Sequence, residues 1–401
     1  MVSAVAPGGS AAPATTVSPT SADAVAEVLR QAGAAGQTVA VVGAGTKASW
    51  GGSLEPSDVV IRTDRLRGIV RHDAGDLIVT VRAGTALRDV QAVLALSGQR
   101  LALSAGAPEA TIGGVLAAGE AGPLRLRYGT GRDLLLGVEF VRPDGVRARS
   151  GGRVVKNVAG YDVGRLLCGS YGTLGILTEA TLRLHPLPAA RAWVSRRVES
   201  PAEAADVVGA VARSRLVPSA IEVDLTGSAG TLCVLVEGSR SGVAERSAAV
   251  AALLGGGEAG AEVSAAEPEW WGRYPFGPGD VALKLAVPLR MLATALEALV
   301  ELCGAQASVR GSAGSGVLYV RVPDEVAGDA ADLAERVAAI RSRLAVEPGY
   351  GGTCVILAAP APLRDGLDMW GPVPGLDLMR RVKRQFDPDG RLAAGRFVGG
   401  I

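Results

Sequence analysis

Three glycine-rich turns, each beside a short apolar segment, constrain this chain more than any other feature. The first, Gly43-Ala44-Gly45-Thr46-Lys47, closes an apolar run that ends at Val42. The second is Ser104-Ala105-Gly106-Ala107-Pro108-Glu109-Ala110-Thr111-Ile112-Gly113-Gly114, and the third Gly169-Ser170-Tyr171-Gly172-Thr173-Leu174-Gly175-Ile176. Glycine opens positive φ to the backbone and lets it approach a ligand closely. Consecutive N–H groups in such a turn can curl around a phosphate, with Thr46 adding a hydroxyl donor. A single turn of this kind is more often a plain tight turn. Three together suit an extended ligand touched by backbone at several points, and a dinucleotide fits that description.

The first turn also matches G-x-G-x-x-G/A after a strand, with Asp64 about twenty residues on, as a Rossmann site would have it. Its context argues otherwise. A Rossmann turn opens directly into a helix whose N-terminus holds the pyrophosphate, whereas Ser49-Trp50-Gly51-Gly52-Ser53 follows here. Two successive glycines before a Pro-containing turn do not continue a helix. The sequence therefore points to a nest of backbone N–H groups.

Composition narrows the class. A chain of 401 residues exceeds one ordinary core, so two domains or three are expected. Hydrophobic residues reach 48% with aromatics at 4%, which predicts cores of small Ala, Val and Leu side chains. Forty-one bases against forty acids leave a net charge of +1 without a basic block, which argues against nucleic acid and against electrostatic membrane binding. Cys168, Cys233, Cys303 and Cys354 stand far apart with no C-x-x-C, so neither a self-contained iron–sulfur cluster nor a four-cysteine zinc site is expected, and no metal is assigned. The absence of a disulfide framework suits a reducing cytoplasm. Residues 1–16 read as a disordered leader without the features of a signal peptide, and no apolar run has the length of a membrane span.

Along the chain, helical spacing covers residues 21–32, 86–96 and 113–118. Short strands are expected at 38–42, 59–61 and 77–81, and a hairpin at 137–142 and 146–150 turns on Pro143-Asp144-Gly145. From Trp193 onward, strands at 193–198, 220–225, 231–237, 281–287, 317–322 and 353–358 alternate with helices near 202–214, 242–254, 290–302 and 329–344. This pattern predicts an α+β layer on a mainly antiparallel sheet. The flanks His185-Pro186-Leu187-Pro188 and Pro360-Ala361-Pro362 mark domain borders. A last helix is expected near 377–386.

The order of Val-Gly-Ala-Gly-Thr-Lys, Ala-Thr-Ile-Gly-Gly, Lys-Asn-Val-Ala-Gly-Tyr-Asp (residues 156–162) and Gly-Thr-Leu-Gly-Ile resembles the FAD-binding domain of the vanillyl-alcohol oxidase / p-cresol methylhydroxylase superfamily. Within that superfamily the chain is most similar to the smaller FAD-binding subunits of bacterial glycolate oxidases. The resemblance covers residues 17–190, and the tail from Phe386 through Arg396 is similar to the family's closing segment. It implies an α+β fold: an FAD-binding domain of two subdomains over 17–190, a cap over 191–362 on a mainly antiparallel sheet, and a segment, 363–401, returning to the FAD domain.

On that pattern Val42, Gly43, Ala44, Gly45, Thr46 and Lys47 would cradle the pyrophosphate. Ala107, Pro108, Thr111, Gly113 and Gly114 would lie along the ribityl and isoalloxazine region. Gly160, Asp162, Gly169, Gly172, Thr173 and Ile176 would hold the cofactor from the other side. The chain has only two histidines, His72 in a polar turn and His185 at a Pro-rich border. Neither is placed to attach flavin, so FAD is expected to be non-covalent.

Lys156 and Asn157 reach either flavin, a substrate carboxylate or their own loop. Tyr161 lines the pocket or is a buried structural tyrosine. Lys284 and Arg310, basic residues in apolar or small-residue stretches, face either solvent or an anionic substrate. Trp270-Trp271 shapes the substrate mouth or anchors the cap core. The implied function is oxidation of a small 2-hydroxy acid such as glycolate or D-lactate, in a dehydrogenase whose partners are a larger flavoprotein and an iron–sulfur subunit. The alternative is an FAD-binding structural subunit without turnover of its own, because no histidine follows His185. An FAD- and NADPH-dependent reductase of the same fold is a minor third alternative.

Overall fold

The computed structural model describes residues 14–52, 56–153, 161–255, 260–346, 351–364 and 366–401. The first helix, Ala22–Ala34, is capped at its N-terminus by the Ser21 hydroxyl, which accepts the Ala24 N–H at 3.2 Å. Val25, Ala26, Leu29 and Ala32 form its buried stripe and pack on Val39, Val59 and Ile61. These belong to a three-stranded parallel sheet ordered Thr15–Val17, Val59–Arg62, Val39–Val42. The first of these strands starts two residues before the expected onset of order.

A second layer is a five-stranded antiparallel sheet ordered Ile69–Asp73, Ile78–Arg82, Ile176–Arg183, Leu135–Val141, Arg147–Gly151. Helices Leu87–Ala95 and Ile112–Ala118 cover its apolar face through Leu87, Val90, Leu94, Ile112, Val115 and Leu116. The Arg71-His72-Asp73 segment, expected as a polar turn, is part of the Ile69–Asp73 edge strand. Charged side chains are what a sheet edge carries to resist pairing with other chains.

The cap sheet has eight strands and every neighbouring pair is antiparallel. Its order is Glu262–Ser264, Ala190–Val198, Ala229–Gly238, Ala220–Thr226, Ser308–Ser312, Val317–Val322, Val281–Ala286, Thr353–Ala358. Alternation sorts its residues. Ile221, Val223, Leu225, Val281, Leu283 and Leu285 join the core under helices Pro201–Arg213, Arg240–Leu254, Leu292–Cys303 and Ala330–Leu344. Glu222, Asp224, Ala282 and Lys284 therefore lie on the opposite face, which meets the two layers described above. The Ser308–Ser312 strand, which carries Arg310, escaped the sequence pattern because it holds one large apolar residue, Val309.

After the cap, the helix Leu376–Phe386 leads the chain back. Val39 N–H donates to Arg391 O at 2.8 Å, and Ala393 N–H donates to Val39 O at 2.8 Å. The return is fixed by Lys383. Its ammonium is buried and donates to Thr173 O and Leu392 O, each at 2.8 Å, and to Asp387 Oδ2 at 2.7 Å. Removing one partner of a buried ion pair leaves an uncompensated charge, at a cost of about 3–5 kcal/mol. Lys383→Met should lower stability to urea by that amount. A loss under about 1 kcal/mol, the value of an exposed pair, would show that Lys383 does not hold the tail.

Candidate functional site

The first glycine turn leaves the Val39–Val42 strand and makes no helix. Ala48 N–H bonds back to Gly45 O at 3.0 Å, and Trp50 N–H to Lys47 O at 3.1 Å. The Gly51-Gly52 pair that argued against a Rossmann helix has a steric cause. A Cβ on Gly51 would stand 2.5 Å from Arg396 O, and one on Gly52 2.3 Å from Gly395 O, where the C-terminal segment crosses.

Among the described residues, the backbone N–H groups of Gly43 through Lys47 find no acceptor within the chain. Unpaired backbone donors in succession are what an anion nest offers. Gly45 has φ +80°, and a Cβ added there would come within 4 Å of Val42 Cγ1 alone, so a side chain would project into open space at the nest. The residues thus fit a phosphate-bearing cofactor.

Val42, Gly43, Ala44, Gly45, Thr46 and Lys47 line one side of a cleft. Thr111, Gly113 and Gly114 line its floor, with Gly172 and Ile176 opposite. Close packing requires the glycines: a Cβ on Gly43 would meet Thr111 Oγ1 at 2.4 Å, and one on Gly172 would meet Val41 at 2.8 Å. Thr111 Oγ1 also accepts the Gly114 N–H at 3.2 Å, capping Ile112–Ala118.

Other expected cofactor residues lie elsewhere. Pro108 lines a neighbouring cavity between the layers, and Ala107 turns its carbonyl to Ala110 N–H at 3.1 Å. Asp162 is exposed; its carboxylate caps Val163–Leu167 by accepting Arg165 N–H at 3.2 Å and pairs with the Arg165 guanidinium. The Thr173 hydroxyl donates to Ser170 O at 2.7 Å, and Gly169 N–H donates to Leu116 O. Tyr161 is 95% exposed. Lys156, Asn157 and Gly160 lie outside the described residues.

Two side chains that were not among the expected cofactor residues enter the cleft. Arg396 lines it, donates to Lys47 O at 2.7 Å and sits 5.8 Å from the Tyr171 ring centroid. Burial lowers its pKa, and among the described residues no carboxylate pairs with it. Tyr171 lines the cleft as well, stacked on Phe397. Lys47, by contrast, is already neutralised: its Nζ meets Glu120 Oε2 at 2.5 Å, with both side chains buried. Glu120 also accepts Gly106 N–H at 2.8 Å and the Tyr274 hydroxyl of the cap.

Beyond Glu120 the two halves enclose a small cavity. Ser104, Gly106, Glu120 and Arg125 line it from the flavin side, and Glu222, Tyr274, Arg310 and Tyr319 from the cap. Arg310 thus faces inward, paired with Asp224 at 2.8 Å and lying 5.9 Å from the Trp270 ring centroid. Lys284 also faces inward, in register with Tyr319, one strand behind the lining. Burial, reinforced by Arg125, pulls its pKa down to about 8. Burial pushes the Glu222 carboxyl up to about 8, against opposing pulls from Ser312 and Arg125. Trp270 and Trp271 pack beside Trp193 on this face.

Neither histidine lines the cleft or this cavity. His72 Nε2 faces Gln99 Oε1 at 2.8 Å. His185 packs edge-on to Tyr128, and burial with the nearby Arg183 lowers its pKa to about 4. Among the described residues there is no cluster of His, Cys, Asp and Glu that could hold a metal, and no helix is long and apolar enough to cross a membrane.

Comparison with known proteins agrees with the geometry. Residues 13–151 match the FAD binding domain family. Glycolate oxidase subunit GlcE of Escherichia coli is 38% identical over 177 residues, 44% of this chain and 50% of that subunit, so the match spans half of the relative's length. An FAD-linked oxidoreductase of Mycobacterium tuberculosis is 26% identical over 429 residues, 96% of this chain and 91% of that protein. A solved alkyldihydroxyacetonephosphate synthase shares the fold, with a TM-score of 0.68 at 18% identity, over 94% of this chain and 75% of the synthase. The chain accordingly carries an FAD binding domain over residues 13–151, and it is similar to FAD-linked oxidoreductases in sequence and to the synthase in fold.

Proposed function

We propose that the chain divides into an FAD domain over 17–190, a cap over 191–362 and a returning tail, and that it oxidises a small 2-hydroxy acid such as glycolate or D-lactate. The observation that carries this is the cavity between Ser104-Gly106 and the inner face of the cap, small, walled by tyrosines and rich in guanidinium groups. Domain interfaces are where such sites occur. FAD supplies the two-electron acceptor. The Gly43–Lys47 nest and Arg396 hold its pyrophosphate, and Thr111, Gly113 and Gly114 support the rest. Arg125 and Arg273 line the cavity; Arg273 has no carboxylate within ion-pair distance among the described residues. These two are the carboxylate clamp. Lys284 adds positive charge from behind Tyr319, and Arg310 is held by Asp224. Cap and tyrosines exclude water.

GlcE is a subunit by name, and the likeness supports placing this chain in a multi-subunit dehydrogenase with a larger flavoprotein and an iron–sulfur protein, in the cytoplasm. A second function, flavin-bearing assembly subunit without its own turnover, is favoured by one observation. Trp50, Tyr171, Tyr274 and Tyr319 already pack the junction of cleft and cap, and no histidine reaches it. Dye reduction by glycolate or D-lactate with the purified chain supports catalysis; activity only with co-expressed partners supports assembly.

Three outcomes are expected. FAD should leave intact on acid precipitation, since neither histidine reaches the cleft; flavin remaining on the protein would refute this. Gly45→Val should abolish FAD binding by filling the nest, and wild-type flavin content would remove the phosphate assignment. Arg273→Met should weaken binding of a 2-hydroxy acid roughly tenfold or more at unchanged FAD content, since a charge-assisted hydrogen bond is worth about 1.5–3 kcal/mol. Unaltered affinity, read from the flavin spectrum, would exclude Arg273 as the clamp.

A further inference from the structure

Glu222 stands out among the groups the proposed reaction does not yet use. It is 3% exposed, lines the interface cavity, and its Oε1 has no hydrogen-bond partner among the described residues. A buried, unsatisfied carboxyl oxygen is costly and calls for a function. Its surroundings are defined on every side. Ser312, from the neighbouring strand, lines the same cavity and favours the ionised carboxyl, and Arg125 does so from the opposite wall. Cys233 is its register partner on the other strand, a thiol whose pKa burial pushes up to about 12. Asp224, two residues on, is occupied by Arg310. Arg125 brings a second orphan to the cavity, its buried Nε. Glu222 and Arg125 thus line the same small space, and each keeps one buried polar atom without a partner, an acceptor on one and a donor on the other, a pairing that a 2-hydroxy acid's hydroxyl and carboxylate would complement.

Resting on the function proposed above, we propose that Glu222 is the catalytic base for the substrate hydroxyl. The carbinol O–H bond breaks and its proton passes to Glu222 Oε1. With FAD bound as the two-electron acceptor, the carbinol C–H pair would leave as hydride to it, and the C=O of a 2-keto acid would form. The cavity holds no histidine, and this carboxylate does the work a histidine would otherwise do.

Because burial holds the carboxyl near 8, it is mostly protonated at neutral pH and becomes a base as pH rises. The test is anaerobic mixing of the FAD-loaded full chain with glycolate or D-lactate, following flavin bleaching at saturating substrate across pH. The wild-type limiting rate should climb through about pH 8. Glu222→Gln should be about 10²–10⁴-fold slower and flat with pH, the usual range for loss of a general base, while substrate affinity changes little. Ser312→Ala, which removes a hydroxyl that favours the ionised form, should shift the rising limb to higher pH.

Infrared spectroscopy supplies a readout independent of turnover. A protonated-carboxyl band that titrates near pH 8 and moves when oxalate binds should vanish in Glu222→Gln. If Glu222→Gln bleaches flavin as fast as wild type, or the variant keeps the band, the assignment to Glu222 is overturned while 2-hydroxy-acid oxidation stands. If no 2-hydroxy acid bleaches the wild-type flavin, both fall together.

Discussion

The position of the cap over the flavin cleft depends on one buried ion pair. Arg100, on the flavin side, meets Glu237 of the cap with two parallel bonds, Nη1–Oε1 at 2.6 Å and Nη2–Oε2 at 2.7 Å. Both side chains are buried, and Tyr128 and Arg191 complete the arrangement. Burial pushes the Glu237 carboxyl up, but the Arg100 bonds and charge outweigh it, and its pKa ends below the usual carboxylate range. Desolvating two ions costs several kcal/mol each, so the pair contributes more to specificity than to net stability. Hydrophobic faces can slide, whereas a bidentate pair fixes one approach. That approach sets Glu222 and Arg310 opposite Ser104, Gly106 and Arg125.

A second network joins the cofactor nest to the same interface. Lys47 is the last residue of the nest turn, and its ammonium is spent on Glu120, which also holds Gly106 N–H and the Tyr274 hydroxyl. A Cβ on Gly106 would stand 2.2 Å from the Tyr274 ring, so the glycine is what lets the tyrosine reach the carboxylate. Among the described residues Arg396 is then the cation lining the cleft without a carboxylate partner. A phosphate at the proposed nest would meet chiefly backbone donors, and the lysine serves the joint between that turn and the cap.

Much of this was legible in the sequence because it is local. Strand, glycine turn and helix stop within a few residues of one another, and the nest, the hairpin at Pro143-Asp144-Gly145 and most cap elements form where periodicity places them. The cap face was written in the sequence too: in Ala220-Ile221-Glu222-Val223-Asp224-Leu225 every second residue is apolar and belongs to the helix-covered core. The pattern says that Glu222 and Asp224 share a face. It does not say whether that face meets water or another domain, because docking depends on contacts such as Arg100–Glu237, 137 positions apart. Local chemistry also decides where Asp162 and Thr173 spend their polar atoms. Both sit in glycine-rich stretches, yet one caps a helix and the other closes a turn.

The electrostatics of the cap face follow from burial acting on opposite charges. Desolvation disfavours whichever form is charged, so it lowers Lys284 and raises Glu222 until both titrate near 8, each under the influence of Arg125. Below that pH the lysine is an ammonium and the glutamic acid is neutral, and together they carry one positive charge. Above it the lysine is neutral and the glutamate ionised, and together they carry one negative charge. On the proposed function, the same rise in pH that would arm Glu222 as a base would remove attraction for an anionic substrate. Binding and proton transfer would then be best served together in the narrow overlap, where some sites hold both an ammonium at Lys284 and a carboxylate at Glu222. A catalytic pKa near the working pH is what general-base catalysis favours. On this face it arises from packing two isolated charges behind tyrosines, with no histidine and no metal ligand set among the described residues.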